Sequence, residues 1–345
     1  MDIEMGLDLK TLNDVAKGMV ASGKGILAAD ESTPTIGKRF DLIGAESTKK
    51  TRNAYRDLLF TADGIENHIS GVILFDETLR QSTINDGTPY PEHLTNLGII
   101  PGIKVDKGAK PLAGFPDETV TEGLDGLRQR LEEYRSLGAR FAKWRAVIKI
   151  GDAMPSFTSI GTNTHALARY AALCQESDIV PIVEPEILMD GNHTIEDSLE
   201  VTELVLESVF AELYSQGVGL EEMILKPNMV LSGYDSADQA DVDTVAEMTL
   251  ACLKRTVPAA VPGIAFLSGG QSDELATTHL NAMNLLAGSK NPWNLTFSYG
   301  RALQQPALKA WGGSDANIGA AQDALMKRAG LNGLASTGAY SKEME

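Results

Sequence analysis

Short apolar segments alternate with longer amphipathic segments along this chain. Eight apolar runs have the length of buried strands. They are GILAAD (25–30), GVILFDE (71–77), IIPGIKV (99–105), RFAKWRAVIKI (140–150), IVPIVEPEI (179–187), MILKPN (223–228), GIAFLSGG (263–270) and NLTFSYG (294–300). The stretches between them predict helices, the clearest being 121–138, 165–177, 194–217 and 240–258. Strands that alternate with helices favour a parallel sheet, and eight is the number that closes a (β/α)8 TIM barrel. An open doubly wound sheet is the structural alternative.

The length of 345 residues fits one barrel domain that spans residues 1–345. The sequence ends in a short polar C-terminal tail, at about residues 331–345, which we expect to be mobile. Thr194 and Asp197 have the chemistry of a helix start, and Gly217 that of a helix end.

The composition excludes several classes of partner. Net charge is −17, from 30 Lys and Arg against 47 Asp and Glu, so the surface repels nucleic acid and anionic membrane. A small anionic ligand in a cleft remains compatible with this charge. Cys174 and Cys252 fit buried free thiols in a reducing compartment, and we expect a cytoplasmic protein. The opening residues, MDIEMGLDLK, show no signal peptide, and no apolar run is long enough to span a membrane.

Charged residues occur in pairs near the ends of two predicted strands. Lys143 and Arg145 are two residues apart, and so are Glu184 and Glu186. Side chains at i and i+2 share one face of a strand. If those faces point into the barrel, cations and carboxylates converge at its active-site end. A solvated strand end is the simpler interpretation of Glu184 and Glu186, and an ion pair with those carboxylates is the simpler interpretation of Lys143 and Arg145.

Lys226 follows an apolar strand directly. An amine is a nucleophile only when deprotonated, and both burial and a neighbouring cation favour the neutral form. Such an amine attacks a carbonyl carbon and forms a Schiff base, whose iminium stabilises a carbanion. Lys143 is the expected neighbouring cation. A lysine that extends its ammonium to the barrel rim is the alternative.

Two glycine-containing segments suggest phosphate binding. LSGGQS (267–272) and SYGRAL (298–303) end the seventh and eighth strands, each just before a helix. Backbone N–H groups at helix N-termini bind anions, and barrels use these two loops for phosphates. Arg301 is placed to hold a phosphate with two hydrogen bonds. Glycines that only form turns are the alternative.

A second anion site is suggested after the first strand, where DESTPTIGKR (30–39) supplies hydroxyls and two cations. A helix cap with solvated cations explains these residues equally well. GMVASGKG (18–25) nearly matches a P-loop, but Gly25 replaces the required hydroxyl. The five histidines lack the spacing of zinc ligands, and we expect no metal and no cofactor.

Long motifs in this chain resemble the class I fructose-1,6-bisphosphate aldolases. They are GILAADEST (25–33), PGIKVDKG (101–108), FAKWRAV (141–147), PIVEPEIL (181–188), LKPNMV (225–230), FLSGGQS (266–272) and FSYGRALQ (297–304). They occur in family order between about residues 8 and 340. The resemblance implies a (β/α)8 barrel that reversibly cleaves fructose 1,6-bisphosphate to dihydroxyacetone phosphate and glyceraldehyde 3-phosphate without a metal ion. It also implies a homo-oligomer, usually a tetramer.

The resemblance assigns five catalytic positions. Lys226 is implied to form the Schiff base, and Glu184 to act as general acid and base in its formation. Lys143 supports Glu184 electrostatically, Asp30 accepts the proton of the C4 hydroxyl, and Glu186 tunes the charge around Lys226. One phosphate is implied to bind at Ser268, Gly269, Ser298, Gly300 and Arg301. Residues implied near the other phosphate, or elsewhere on the substrate, are Ser32, Thr35, Lys38, Arg39, Lys104 and Arg145.

Two departures from the family pattern stand out. Pro34 and Thr35 occupy positions where the family has Gly-Ser. The chain stops at Glu345, and Tyr340 does not align with the terminal tyrosine that assists proton exchange in many members. Cleavage of fructose 1-phosphate or sedoheptulose bisphosphate, metal-dependent aldol chemistry and a non-catalytic scaffold are the competing hypotheses.

Overall fold

The computed structural model describes residues 9–345, with side chains from residue 11 onward. Residues 1–8, which carry most of the stretch that we interpreted as lacking a signal peptide, lie outside the described residues. Within 9–345, no helix is both long and apolar enough to cross a bilayer.

The eight predicted strands are all present and form a closed parallel barrel. The strands of the structure are β1 (Gly25–Ala29), β2 (Ile69–Leu74), β3 (Ile100–Lys104), β4 (Ala109–Pro111), β5 (Thr119–Thr121), β6 (Phe141–Ile148), β7 (Val180–Ile187), β8 (Ile224–Leu225), β9 (Gly263–Phe266) and β10 (Asn294–Tyr299). The order around the barrel is β1-β10-β9-β8-β7-β6-β3-β2. The predicted TIM barrel is therefore confirmed, and the open-sheet alternative is wrong.

The remaining two strands, β4 and β5, pair with each other as an antiparallel hairpin between β3 and β6. Sequence patterns did not predict this hairpin. Each strand is only three residues long, and β4 is fully exposed, so neither shows the apolar run that marks a buried strand.

Helices follow the barrel strands as predicted. They are α1 (Leu9–Met19), α2 (Thr33–Asp41), α3 (Lys49–Phe60), α4 (Asp76–Leu79), α5 (Tyr90–Asn96), α6 (Leu127–Ser136), α7 (Phe157–Glu176), α8 (Ile195–Ser215), α9 (Val242–Thr256), α10 (Asp273–Ala287), α11 (Arg301–Trp311) and α12 (Ile318–Ala335). The capping chemistry expected at α8 is confirmed, because Thr194 and Asp197 form a capping box. Helix α6 begins later than predicted, because Gly126 precedes it in a left-handed conformation with φ 65°.

The apolar core has two parts, one inside the barrel and one between the strands and the outer helices. Inside, β-strand residues such as Ile182 and Ile224 pack with residues of α1, so α1 closes the N-terminal end of the barrel. Phe141 also fills this interior. A Cβ at Gly102 would lie 2.3 Å from the Phe141 ring, so this position needs glycine. The closed lower end leaves the opposite end of the barrel open for a site.

The C-terminal segment packs against the protein, and our expectation of a mobile polar tail from about residue 331 is wrong. Helix α12 continues to Ala335, and Tyr340 is 6% exposed. The carboxylate of Glu345 forms an ion pair with the buried Arg328 and accepts a hydrogen bond from the Tyr340 hydroxyl at 2.9 Å. The polar composition misled us because these polar groups pair with the protein instead of with water.

Candidate active site

Strand register aligns the charged side chains of three neighbouring strands. Arg145 of β6 lies opposite Glu184 of β7. Leu225 of β8 lies opposite Val183, and the backbone N–H of Lys226 donates to the Val183 carbonyl at 2.8 Å. Lys226 therefore continues the pairing of β8 and stands beside Glu184.

The predicted alternation of faces is confirmed on β6. Lys143 and Arg145 both line the cavity at the carboxyl ends of the strands. Trp144 points the other way and packs on Tyr170 of α7, with the ring centroids 5.6 Å apart. Glu184 and Glu186 of β7 line the same cavity and are both buried, so the interpretation of these two glutamates as solvated strand ends is wrong. The ion pairs that were the alternative for Lys143 and Arg145 are present, with Glu184 and Glu186 respectively.

Four of the predicted residues form one buried chain of charges. Lys143 Nζ lies 3.0 Å from Asp30 Oδ2 and 3.0 Å from Glu184 Oε2. The other oxygen of the same carboxylate, Glu184 Oε1, lies 3.2 Å from Lys226 Nζ. Asp30 has the most exposed side chain of the four, at 14%, and Lys226 is 5% exposed. Lys226 is thus held inside the barrel mouth and does not extend to the rim.

The electrostatics of this chain of charges fix three protonation states. Burial acts to raise the pKa of Asp30 and of Glu184, but the nearby ammonium groups of Lys143 and Lys226 outweigh burial and hold both values below the ordinary range. Burial acts to lower the pKa of Lys143, but Asp30, Glu184 and Asp106 raise it above its ordinary value. Both carboxylates are therefore ionised near neutral pH, and Lys143 is a fixed cation.

Asp106 belongs to the same network, although we did not predict it. It is buried, and its carboxylate lies 3.0 Å from Lys104 Nζ and 4.0 Å from Lys143 Nζ. It also accepts hydrogen bonds from the backbone N–H groups of Gly108 and Arg145. Lys104 and Asp106 are two residues apart, the same spacing that marked the other pairs, so a signal was present in the sequence.

The cavity above this network has a volume of about 670 Å³. Seven lysines and arginines line it against six aspartates and glutamates. The cavity is therefore slightly cationic, whereas the whole chain carries a net charge of −17. This local field suits an anionic ligand of small-molecule size.

One side of the cavity carries the two loops predicted to bind a phosphate. Gly269 and Gly270 have φ values of 59° and 93°, which favour glycine. Their N–H groups have no protein acceptor within the described part of the chain. Ser298 is buried, lines the cavity, and its hydroxyl has no partner among the described residues. Ser268 lies on the same wall.

Gly300 and Arg301 complete this side. Arg301 is exposed at the first position of α11, where backbone N–H groups lack helical acceptors. Donors from two loops therefore converge on one wall of the cavity, as an anion requires.

The loop and helix after β1, which is the barrel neighbour of β10, carry the residues predicted for a second anion. Ser32 and Thr35 have their hydroxyl oxygens 3.0 Å apart, and Lys38 is exposed beside them. All three line the cavity. Three cations predicted for this site already have carboxylate partners: Arg39 pairs with Glu31, Lys104 with Asp106, and Arg145 with Glu186.

Glu31 was not predicted either, and it connects several elements beneath the cavity. Its side chain is 4% exposed and pairs with Arg39 and with Arg56, the latter at 2.5 Å. Gln304 Nε2 donates to Glu31 Oε1 at 2.9 Å. Burial acts to raise the pKa of Glu31, but Arg56 and Arg39 lower it. Arg56 and Gln304 lie 25 and 273 positions from Glu31 in the sequence, so no local pattern indicated the cluster.

Comparison with known proteins gives consistent matches over nearly the whole chain. The family model described as fructose-bisphosphate aldolase class-I matches residues 11–345. A probable fructose-bisphosphate aldolase class 1 of Xanthomonas axonopodis pv. citri is 58% identical over 335 residues, covering 97% of this chain and 99% of the relative. A muscle-type fructose-bisphosphate aldolase of Lethenteron camtschaticum is 54% identical over 332 residues, covering 96% and 91%.

A solved structure gives the same result. Fructose-bisphosphate aldolase from Plasmodium falciparum, in a ternary complex with TRAP and a small-molecule inhibitor, superposes with a TM-score of 0.95 at 49% identity. The match covers 99% of this chain and 97% of that chain.

Fold, cavity and relatives together place the protein among the barrel-fold lyases that cleave carbon–carbon bonds. The chain belongs to the class I fructose-bisphosphate aldolase family. The resemblance that the sequence motifs indicated is therefore confirmed, and the reaction of this family is the aldol cleavage of fructose bisphosphate.

Proposed function

We propose that Lys226 is the nucleophile that forms a Schiff base with the C2 carbonyl of fructose 1,6-bisphosphate. The observation that carries the proposal is the contact of its amine with Glu184 Oε1 at 3.2 Å, inside the barrel mouth. A carboxylate at this distance is within reach to take a proton from the amine. The covalent iminium then supplies the electron sink, so this step needs no metal ion.

Glu184 is the proposed general acid and base of iminium formation. Its two oxygens contact different lysines: Oε1 faces the Lys226 amine, with which it exchanges a proton, and Oε2 faces Lys143. After the amine attacks C2, a proton passes from the nitrogen to the C2 oxygen and gives a carbinolamine. Glu184 then returns the proton that it took from the amine to this hydroxyl, which leaves as water while the nitrogen lone pair forms the iminium. Lys143 keeps its charge throughout and offsets the negative charge on Glu184 and Asp30.

Asp30 is the proposed base for carbon–carbon cleavage. Its low pKa keeps it ionised, so it can accept the proton of the C4 hydroxyl as the C3–C4 bond breaks. The electron pair of that bond moves into the iminium and gives an enamine, while C4 becomes an aldehyde. Glu186, which pairs with Arg145, adjusts the charge around Lys226.

The two anion sites account for a bisphosphate substrate. One phosphate is proposed to bind the wall formed by Ser268, Gly269, Ser298, Gly300 and Arg301. The other is proposed to bind near Ser32, Thr35, Lys38, Arg39 and Lys104. Lys226 lines the same cavity as both sites, and its amine is proposed to face the carbonyl carbon of the bound sugar. This arrangement favours fructose 1,6-bisphosphate over monophosphorylated sugars.

Replacing Lys226 with methionine tests the proposal. Methionine matches the length of the lysine chain but has no amine, so we expect cleavage to fall by at least about 10⁴-fold, the scale seen when a covalent nucleophile is removed. Lys254→Met, at an exposed position of α9, is the matched control and should keep full activity. Circular dichroism and thermal melting establish that both variants fold. A folded Lys226→Met variant that still cleaves the sugar would overturn the assignment.

We also propose a homotetramer in the cytoplasm. Exposed Phe157 and Leu204 line one groove with several other apolar residues, which suits burial by a second subunit. The two buried free thiols, Cys174 and Cys252, suit a reducing compartment, and relatives from Arabidopsis thaliana are described as cytosolic. Analytical ultracentrifugation showing a monomer at micromolar concentration would contradict the assembly.

A further inference from the structure

Tyr234 lies in the segment that follows β8, at the junction of the loops around the proposed phosphate wall. Three backbone hydrogen bonds attach this segment to the loop after β7. The N–H groups of Gly233, Tyr234 and Asp235 donate to the carbonyls of His193, Met189 and Gly191 at 2.8–2.9 Å. The backbone of Tyr234 is therefore fixed, and its side chain extends from an ordered base.

The Tyr234 hydroxyl donates a hydrogen bond to the carbonyl oxygen of Gly269. Burial raises the pKa of Tyr234 to about 12, so the hydroxyl keeps its proton near neutral pH. In a trans peptide the carbonyl and the next N–H point in opposite directions. Fixing the Gly269 carbonyl toward Tyr234 therefore aims the Gly270 N–H away from Tyr234. Gly269 and Gly270 line the cavity.

This hydrogen bond matters because two consecutive glycines leave the peptide free to rotate. Glycine has access to a much wider range of backbone angles than other residues. Gln271 closes the turn, because its backbone N–H and its side-chain amide both donate to the Ser268 carbonyl at 3.0 Å. Among the described residues, the Gly269 carbonyl accepts a hydrogen bond from Tyr234 and from no other group. An anion that binds a mobile loop must first order it, which costs affinity. A single external hydrogen bond at the Gly269 carbonyl removes much of that freedom.

The Arg301 guanidinium lies beside the same Gly269–Gly270 turn. A Cβ built on Gly270 would be 2.8 Å from Arg301 Nη2 and 3.1 Å from the Tyr234 hydroxyl oxygen. The tyrosine and the guanidinium therefore share the space beside Gly270. Tyr234 is 45% exposed and limits the directions in which the long arginine side chain can turn.

We infer that Tyr234 is a positioning residue for the phosphate wall, which orients the Gly269–Gly270 peptide and confines Arg301 before the substrate arrives. The inference rests on the proposed phosphate site and deepens it. Because Tyr234 touches no reacting atom in this account, its loss weakens phosphate binding and leaves the chemical step unchanged.

The test is Tyr234→Phe, which removes the hydroxyl and keeps the ring. The net value of one hydrogen bond predicts that KM for fructose 1,6-bisphosphate rises about 3- to 10-fold, while kcat stays within about 2-fold. Inorganic phosphate is the second probe, because it reports binding without chemistry. Its inhibition constant, measured by competition, should rise by the same factor as KM.

Tyr214→Phe is the matched control. Tyr214 is 86% exposed on α8, and its change should leave KM, kcat and phosphate inhibition as they are. A second variant, Tyr234→Ala, also frees Arg301 and should raise KM further than Tyr234→Phe does. Thermal melting separates both effects from a loss of fold.

The inference is overturned if Tyr234→Phe leaves KM and phosphate inhibition unchanged, or if kcat falls while KM does not move. If inorganic phosphate does not compete with the substrate in the unaltered enzyme, the phosphate wall itself is wrong and the inference fails with it. If phosphate competes with the substrate equally well in the unaltered enzyme and in Tyr234→Phe, only the role of Tyr234 is wrong.

Discussion

Removing the Lys143 charge should destabilise the folded protein strongly. Lys143 contacts Asp30 and Glu184 at 3.0 Å each, and with an effective dielectric constant of about 20 each contact is worth about 5–6 kcal/mol before desolvation. Desolvation of the buried ions offsets much of this gain. Breaking a buried pair by removing one partner costs about 3–5 kcal/mol. We therefore expect Lys143→Met to lower the free energy of unfolding by about that amount at neutral pH.

The loss in free energy of unfolding caused by Lys143→Met should depend on pH. Asp30 and Glu184 have folded-state pKa values below their ordinary ones. The stability that they contribute is present above their unfolded pKa values, near 4, and is lost as the pH falls through the folded values. Without Lys143 these pKa values rise, so the variant takes up protons on acidification before the unaltered protein does. The difference in stability between the two proteins should therefore shrink from about pH 7.5 to about pH 5.

The assay is urea unfolding of the unaltered protein and of Lys143→Met at pH 7.5 and at pH 5, with unfolding monitored by circular dichroism. Arg128→Met provides the comparison, because Arg128 and Glu176 form an ion pair with both side chains about half exposed. Exposed pairs contribute under about 1 kcal/mol. A loss of less than about 1 kcal/mol for Lys143→Met, or a loss that grows on acidification, would refute the assignment of Lys143 as the central cation.

Two further predictions concern the rim of the barrel and the C-terminal segment. Arg301→Ala should raise KM for fructose 1,6-bisphosphate about 10- to 100-fold, because that factor corresponds to charged hydrogen bonds to a phosphate. The melting temperature should stay nearly unchanged, because Arg301 is exposed. An unchanged KM in steady-state kinetics would remove Arg301 from the phosphate wall. Deleting residues 341–345 should lower the melting temperature, since it leaves the buried Arg328 without Glu345, but should alter cleavage little. Loss of cleavage in a folded deletion variant would show that this segment acts in catalysis.

The barrel could be predicted because its strands leave a strong local signal. Strands buried on both faces appear as continuous apolar runs, and all eight were visible in the sequence. The spacing of Lys143 and Arg145, and of Glu184 and Glu186, predicted that each pair shares one face of its strand, and the structure shows that this face points into the barrel. The position of Lys226 followed from the end of an apolar strand. These inferences needed only the two-residue period of a strand and the geometry of a parallel barrel.

The features that were missed depend on contacts between distant parts of the chain. Glu31 pairs with Arg56 and Gln304, and Tyr234 reaches Gly269 across 35 positions. Neither arrangement has a local pattern. The C-terminal segment was misjudged for a similar reason, because polarity predicts exposure only when no buried partner such as Arg328 is available. Assignment of individual roles also exceeded what periodicity can give, and it came from family resemblance.

The most direct test of the account is to trap the covalent intermediate. The enzyme is incubated with dihydroxyacetone phosphate, reduced with borohydride and digested, and the modified peptide is identified by mass spectrometry. We predict loss of activity together with a reduced adduct on the peptide that contains Lys226, and no adduct in the Lys226→Met variant. An adduct on Lys143 or on another lysine, or full activity after reduction with no adduct, would contradict the central claim that the Lys226 amine forms the Schiff base.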